Sequence, residues 1–146
     1  MKDKKIKNEL FKITSINHGI CDIDTFDNLV IDANGFRPKK NPKYTAPLNE
    51  EEINKAMKFV QHLEKKKIKE SSTCSYGLKH RVEDYYKSIN DYQYCSNGAL
   101  IIAMIKNGFD VWYSDGPNGC FNFTKSSYKK IMNEIENRIQ QGYISS

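Results

Sequence analysis

The seven residues Ala99–Ile105, Ala-Leu-Ile-Ile-Ala-Met-Ile, are the longest uninterrupted apolar run in this 146-residue chain. Crossing a bilayer as a helix takes roughly 18 to 20 apolar residues, so the run is far too short to span one. Ser96 stands before it as a natural N-cap and Gly108 behind it as a terminator, which predicts a helix over about 97–107. Carbon on nearly every face leaves such a helix no side for water, so other elements must cover it all round. A chain of this length holds one core of that kind, and the expectation is a single domain over 1–146.

The covering elements are legible in outline. Leu10–Thr14, Gly19–Asp24 and Asn28–Asp32 read as short strands separated by turn residues, an antiparallel meander. Residues 33–48 hold Pro38, Pro42, Pro47 and several lysines without apolar periodicity, and predict a solvated loop. Asn49 followed by Glu50, Glu51 and Glu52 predicts an N-capped helix, with Glu52 reaching back to complete a capping box. Its apolar stripe of Ile53, Ala56, Met57, Val60 and Leu63 extends it to about residue 69, where the lysines suit the negative end of the dipole.

A second amphipathic helix opens at Gly77 on Leu78, Val82, Tyr85, Tyr86 and Ile89. Phe109–Tyr113 and Gly119–Thr124 flank the turn-rich Ser114–Asn118 as a hairpin. Ser126 or Ser127 caps a terminal helix that Gly142 stops, with Tyr128, Ile131, Met132, Ile135 and Ile139 as its apolar stripe. The class is α+β: a small antiparallel sheet, the amino-terminal meander plus the carboxy-terminal hairpin, packed with about four helices.

The net charge of +5 is concentrated toward the amino terminus. It gathers in a flexible basic tail over 1–8, in Arg37, Lys39, Lys40 and Lys43 of the loop, and in Lys65, Lys66 and Lys67. The last two groups form a candidate patch for phosphate or an acidic partner. The order helix, connection, helix, hairpin is also the outline of a winged helix-turn-helix. Its second helix would have to offer polar side chains to base edges, and Ala99–Ile105 offers none.

The amino terminus lacks the apolar stretch and small-residue cleavage site of a secretion signal, so the expectation is a cytoplasmic protein that neither enters nor spans a membrane. In that compartment Cys21, Cys74, Cys95 and Cys120 are expected as free thiols. Two metal-ligand pairs can be drawn, His18 with Cys21 and Cys74 with His80, but their spacing is irregular, and neither a metal nor a cofactor is expected. Cys74 or Cys95 beside His80 is the one nucleophile arrangement available, Cys95 lying where a helix dipole lowers a thiol's pKa. No third, orienting group accompanies it.

The most pointed polar grouping runs through Ser75-Tyr-Gly-Leu-Lys-His-Arg-Val-Glu83, Tyr94-Cys-Ser-Asn-Gly98 and Gly116-Pro-Asn-Gly-Cys-Phe-Asn122. Lys79 with Glu83 and His80 with Asp84 are spaced as helical i,i+4 pairs. If the strings converge, Tyr76, Lys79, His80, Glu83, Asn97 and Asn122 form a polar binding site. Over residues 72–124 these strings resemble a set of small uncharacterised proteins encoded by phages, plasmids and integrated elements. That resemblance implies an anti-defence role, anti-CRISPR inhibition included.

The function expected is therefore a non-enzymatic interaction protein from a mobile element that inhibits or modulates a host protein or ribonucleoprotein. Tyr44, Tyr76, Tyr85, Tyr92, Tyr94 and Trp112 are its potential anchors. A nucleic-acid-binding module using the basic patches is the first alternative. A small enzyme using His80 with Lys79, Glu83 or a cysteine is the second. Neither the partner's identity nor the oligomeric state is written in the sequence.

Overall fold

Every residue from Asn97 to Ile105 is buried, and the fold is arranged to keep it so. The computed structural model describes residues 4–6, 16–17, 19–22, 29–38, 46–113 and 116–145. Among them the chain runs β1 (Lys4–Ile6), β2 (Ile16–Asn17), β3 (Ile20–Asp22), β4 (Leu29–Asp32), β5 (Gly35–Pro38), α1 (Glu50–Val60), β6 (Lys65–Glu70), α2 (Ser75–Lys87), α3 (Asn97–Lys106), β7 (Val111–Tyr113), β8 (Gly119–Phe123) and α4 (Lys125–Ser145). The α+β class holds, but the strands divide between two antiparallel four-stranded sheets, ordered β1-β7-β8-β6 and β2-β3-β4-β5. Meander and hairpin thus belong to separate sheets. No helix among the described residues is long and apolar enough to cross a membrane.

Helix α3 packs against α1, α2, β4 and β5. Its start is fixed as expected, Ser96 Oγ accepting from the Ala99 N–H at 3.1 Å. Gly98 is required there: a Cβ in its place would run into the Asp32 carbonyl, whose strand passes directly over the helix. The two sheets meet at the same end, where Phe36 stacks on Tyr113 at 5.3 Å and its N–H donates to the Pro117 carbonyl at 3.0 Å. Phe59, Phe109, Phe121, Phe123, Ile131 and Ile135 complete one continuous core around the helix.

Several boundaries differ from expectation, each for a tertiary reason. Lys4–Ile6 is not a flexible tail but an edge strand paired with β7, and Lys5 lies over the Trp112 ring at 4.8 Å. Within the loop expected over 33–48, Gly35–Pro38 pairs with β4, and Leu48 is buried with its N–H donating to the Gly19 carbonyl. Leu10–Thr14, expected as a strand, lies outside the described residues.

Helix α1 is capped by Asn49, which accepts from the N–H groups of Glu51 and Glu52. Glu52 does not close the box; it accepts instead from the Ser96 N–H at 2.9 Å, tying α1 to the start of α3. The helix ends at Val60. The lysine run beyond it pairs with β8, Lys65 opposite Phe123 and Glu70 opposite Phe121, so sheet pairing overrides the helix propensity of lysine.

Helix α2 begins two residues earlier than expected, at Ser75, and leaves Ile89 exposed. Helix α4 is capped by Thr124, whose Oγ1 accepts from the Ser127 N–H at 3.2 Å, rather than by Ser126 or Ser127. It continues through Gly142 to Ser145.

Candidate functional site

The first two turns of α2 place Tyr76, Lys79, His80 and Glu83 on one face, as residues three and four apart must be. The segment after α2 folds back over that face, bringing Tyr94 and Cys95 to it. Glu83 is the centre. Its Oε1 faces His80 Nδ1 at 2.9 Å, and its Oε2 accepts from Lys79 Nζ at 3.1 Å and from the Cys95 N–H at 3.3 Å. Expected to pair with His80, Asp84 meets Arg81 instead, at 3.3 Å.

Lys79 is only 7% exposed. Its ammonium lies 4.5 Å from the centre of the Tyr94 ring and 5.8 Å from that of Tyr76, within the range of a cation–π contact. The rings themselves face outward, each residue 55% exposed, and His80 meets Tyr76 edge-on at 4.8 Å. A buried, ion-paired centre therefore carries an aromatic rim open to solvent.

The electrostatics fix both charges. Burial opposes the Glu83 carboxylate, but the bonds from Lys79, the Cys95 N–H and His80 outweigh it and hold its pKa below the ordinary value. Burial likewise opposes the Lys79 ammonium, and the bond and attraction from Glu83 hold its pKa above. Each group is thus moved away from neutrality, opposite to the shift that would suit a general acid or base.

Three of the sequence strings do meet, though not in one pocket. Cys74, one residue before α2, is disulfide-bonded to Cys120 in β8, with Cα atoms 4.4 Å apart. This corrects the expectation of four free thiols: the fold brings together two cysteines 46 residues apart. Beside the bond, Ser75 Oγ accepts from the Gly119 N–H at 3.0 Å. Asn97 joins the other end of the same turn, its Nδ2 donating to Asn118 Oδ1 and the Asn34 carbonyl, both at 2.9 Å.

Asn122 sits elsewhere again: it accepts from the Asp110 N–H at 2.9 Å and donates to the Lys66 carbonyl at 2.8 Å, tying β8 to β6 and to the residue before β7. Of the six candidates, Tyr76, Lys79, His80 and Glu83 converge. Asn97 and Asn122 are cross-links of the scaffold.

The basic candidates separate in the same way. Arg37 is held by the fully buried Asp32, Nη1 to Oδ2 at 2.8 Å, and is not available to phosphate. Lys39, Lys40 and Lys43 lie outside the described residues. Lys65, Lys66 and Lys67 open β6, at the edge of its sheet, with Lys66 paired to Glu70 at 2.8 Å.

The nucleophile arrangement fails on burial. Cys74 is bonded, and burial, reinforced by Glu52 and Glu83, pushes the Cys95 thiol up to about 12, against the lowering expected from the helix dipole. His18 lies outside the described residues, and no metal-holding group of His, Cys, Asp or Glu occurs among them.

The sequence offers Tyr94 as an aromatic anchor but not as a member of the α2 face, because only the fold-back of residues 88–94 brings it there. Sequence reasoning missed Asp32 and Glu70. Glu70, four residues after Lys66, carried the same i,i+4 signal that identified Lys79 and Glu83. No family model, curated protein or solved structure matches the chain.

Proposed function

We propose that this protein is a non-enzymatic interaction protein that inhibits or modulates a host protein or ribonucleoprotein, docking through the rim of Tyr76, His80 and Tyr94. The observation that carries this reading is the pair of exposed tyrosines flanking an ammonium already satisfied by Glu83. Tyrosines held in this way offer large, rigid contact area with little side-chain entropy left to lose on binding. The ion-paired centre asks no counter-ion of the partner. The opposed pKa shifts of Lys79 and Glu83, and the raised Cys95 thiol, speak against acid–base or nucleophilic chemistry at this face. Origin in a mobile element and an anti-defence role, anti-CRISPR inhibition included, rest on the resemblance of the three strings.

The test is affinity capture of the tagged chain from bacterial lysate, with and without nuclease, beside a Tyr76→Ala/Tyr94→Ala variant. A stoichiometric protein retained after nuclease and lost with the variant is the expected result. Capture unaffected by the variant, or no retained protein at all, would sink the proposal.

A further inference from the structure

We infer that the tip of β6 is a second contact surface, independent of the tyrosine rim, that fits the phosphodiester backbone of a nucleic acid. Between Lys65, opposite Phe123, and Glu70, opposite Phe121, β6 advances five residues while β8 advances two. The surplus interrupts the regular ladder at the edge of the sheet. Its base is fixed: Asn122 donates to the Lys66 carbonyl, Lys66 pairs with Glu70, and Glu70 also accepts from the Ser72 hydroxyl at 2.7 Å. Its tip is not covered. Lys67 is exposed, and Ile68, at 69%, is the most exposed of the large hydrophobic residues described; Lys65, at the ladder-paired end, is also exposed, with its ammonium 5.0 Å from the centre of the Phe109 ring.

Lysines and a bulge on an edge strand ordinarily keep other strands away. A bare isoleucine at the tip works against that purpose, so edge protection accounts for the lysines and not for Ile68. With the ladder broken, an incoming strand finds no regular row of backbone groups, and recognition falls to side chains. Those side chains are cations around one apolar group. Lys106 and Lys125 add exposed positive charge nearby: Lys65 packs against Gly108, two residues after Lys106, and the Thr124 N–H donates to the Glu64 carbonyl. Glu64 is the exposed carboxylate at this end.

Phosphate contact needs positive charge without base-reading geometry. Ile68, next to Lys67, is of the kind that presses on sugars or between base steps.

Fluorescence anisotropy with a labelled single-stranded DNA, the same sequence as RNA, and its duplex tests this. Binding at low salt is expected, with log affinity falling by about 2 per decade of salt if two phosphates are neutralised. Lys65→Gln/Lys67→Gln should lose at least about tenfold and flatten that slope. Ile68→Ala should weaken binding without changing the salt slope, and Tyr76→Ala/Tyr94→Ala should bind like the unaltered chain. Which probe binds most tightly tells single strand from duplex. The inference is overturned by no binding at low salt, by equal affinity in the Lys65/Lys67 variant, by dependence on the tyrosines, or by polyglutamate competing as well as the oligonucleotides. Failure of the tyrosine-rim proposal would leave these outcomes unchanged.

Discussion

Lys79 and Lys67 lie twelve residues apart in sequence, and the fold treats them in opposite ways. Lys79 is buried and shared between Glu83 and two aromatic rings, within a segment anchored by a disulfide, by Ser75 on Gly119 and by Glu83 on the Cys95 N–H. Lys67 stands exposed in a segment tied at its base by Asn122 on the Lys66 carbonyl and by Lys66 on Glu70. In the first region charge serves the interior and leaves aromatic carbon outside; in the second the interior is served by Asn122 and Glu70, and charge is left outside. Residue type therefore says little about role here. What separates them is whether a neighbouring segment folds back over the charge.

The largest effect should come from the disulfide. Closing a loop of 46 residues is worth about 4 kcal/mol in the chain-entropy account. Cys74→Ser/Cys120→Ser should lose stability on that order in urea unfolding without reductant, and added reductant should bring the unaltered chain down to the same midpoint. Equal midpoints with and without reductant would mean that the start of α2 is held by its hydrogen bonds alone, and the contrast with β6 would weaken accordingly.

Next comes Glu83→Ala, which strands a buried ammonium and removes the acceptor of the Cys95 N–H. Partial solvent access puts the loss at about 2 kcal/mol, below that of a fully buried pair. Acid should mimic it. The folded pKa of Glu83 lies below its ordinary 4.5, so between the two values the unfolded chain binds more protons. The contribution is complete above about 4.5 and drains away as pH falls through the folded value. Glu70 behaves alike, held at about 2 by the bond from Lys66 and then by Ser72, so its share is lost between about 4.5 and 2. Stability measured from pH 7 downward should fall in both chains, and less steeply in Glu83→Ala; parallel curves would count against the ion pair.

Much of this architecture was legible from local pattern. Ala99–Ile105 announced a buried helix, Asn49 and Ser96 their caps, and Ser114–Asn118 a hairpin, because each depends on residues a few positions apart. What escaped was set at a distance. Nothing near Lys65–Lys69 states that β8 will pair with it and take it out of the helix, and nothing near Lys4–Ile6 names β7 as its partner. At the site, Lys79 and Glu83 were visible through helical spacing. Tyr94 and the Cys95 N–H were not, since they arrive by a chain reversal. Asn97 and Asn122 were correctly singled out as unusual polar residues and wrongly gathered into the pocket, because both were needed by backbone groups of other elements.

The smallest effect is the one that sharpens the contrast most. Lys67→Ala and Ile68→Ser should each change unfolding free energy by less than about 0.5 kcal/mol, as surface substitutions without a packing role do. For Ile68 the expectation is against type, since isoleucine is ordinarily a core residue and its loss from a core costs several times more. A loss above about 1 kcal/mol would show that the tip packs against something in solution, and a surface so occupied is not open to a partner. A neutral result leaves an apolar side chain held in water at no benefit to the fold, which is the condition for assigning it to binding.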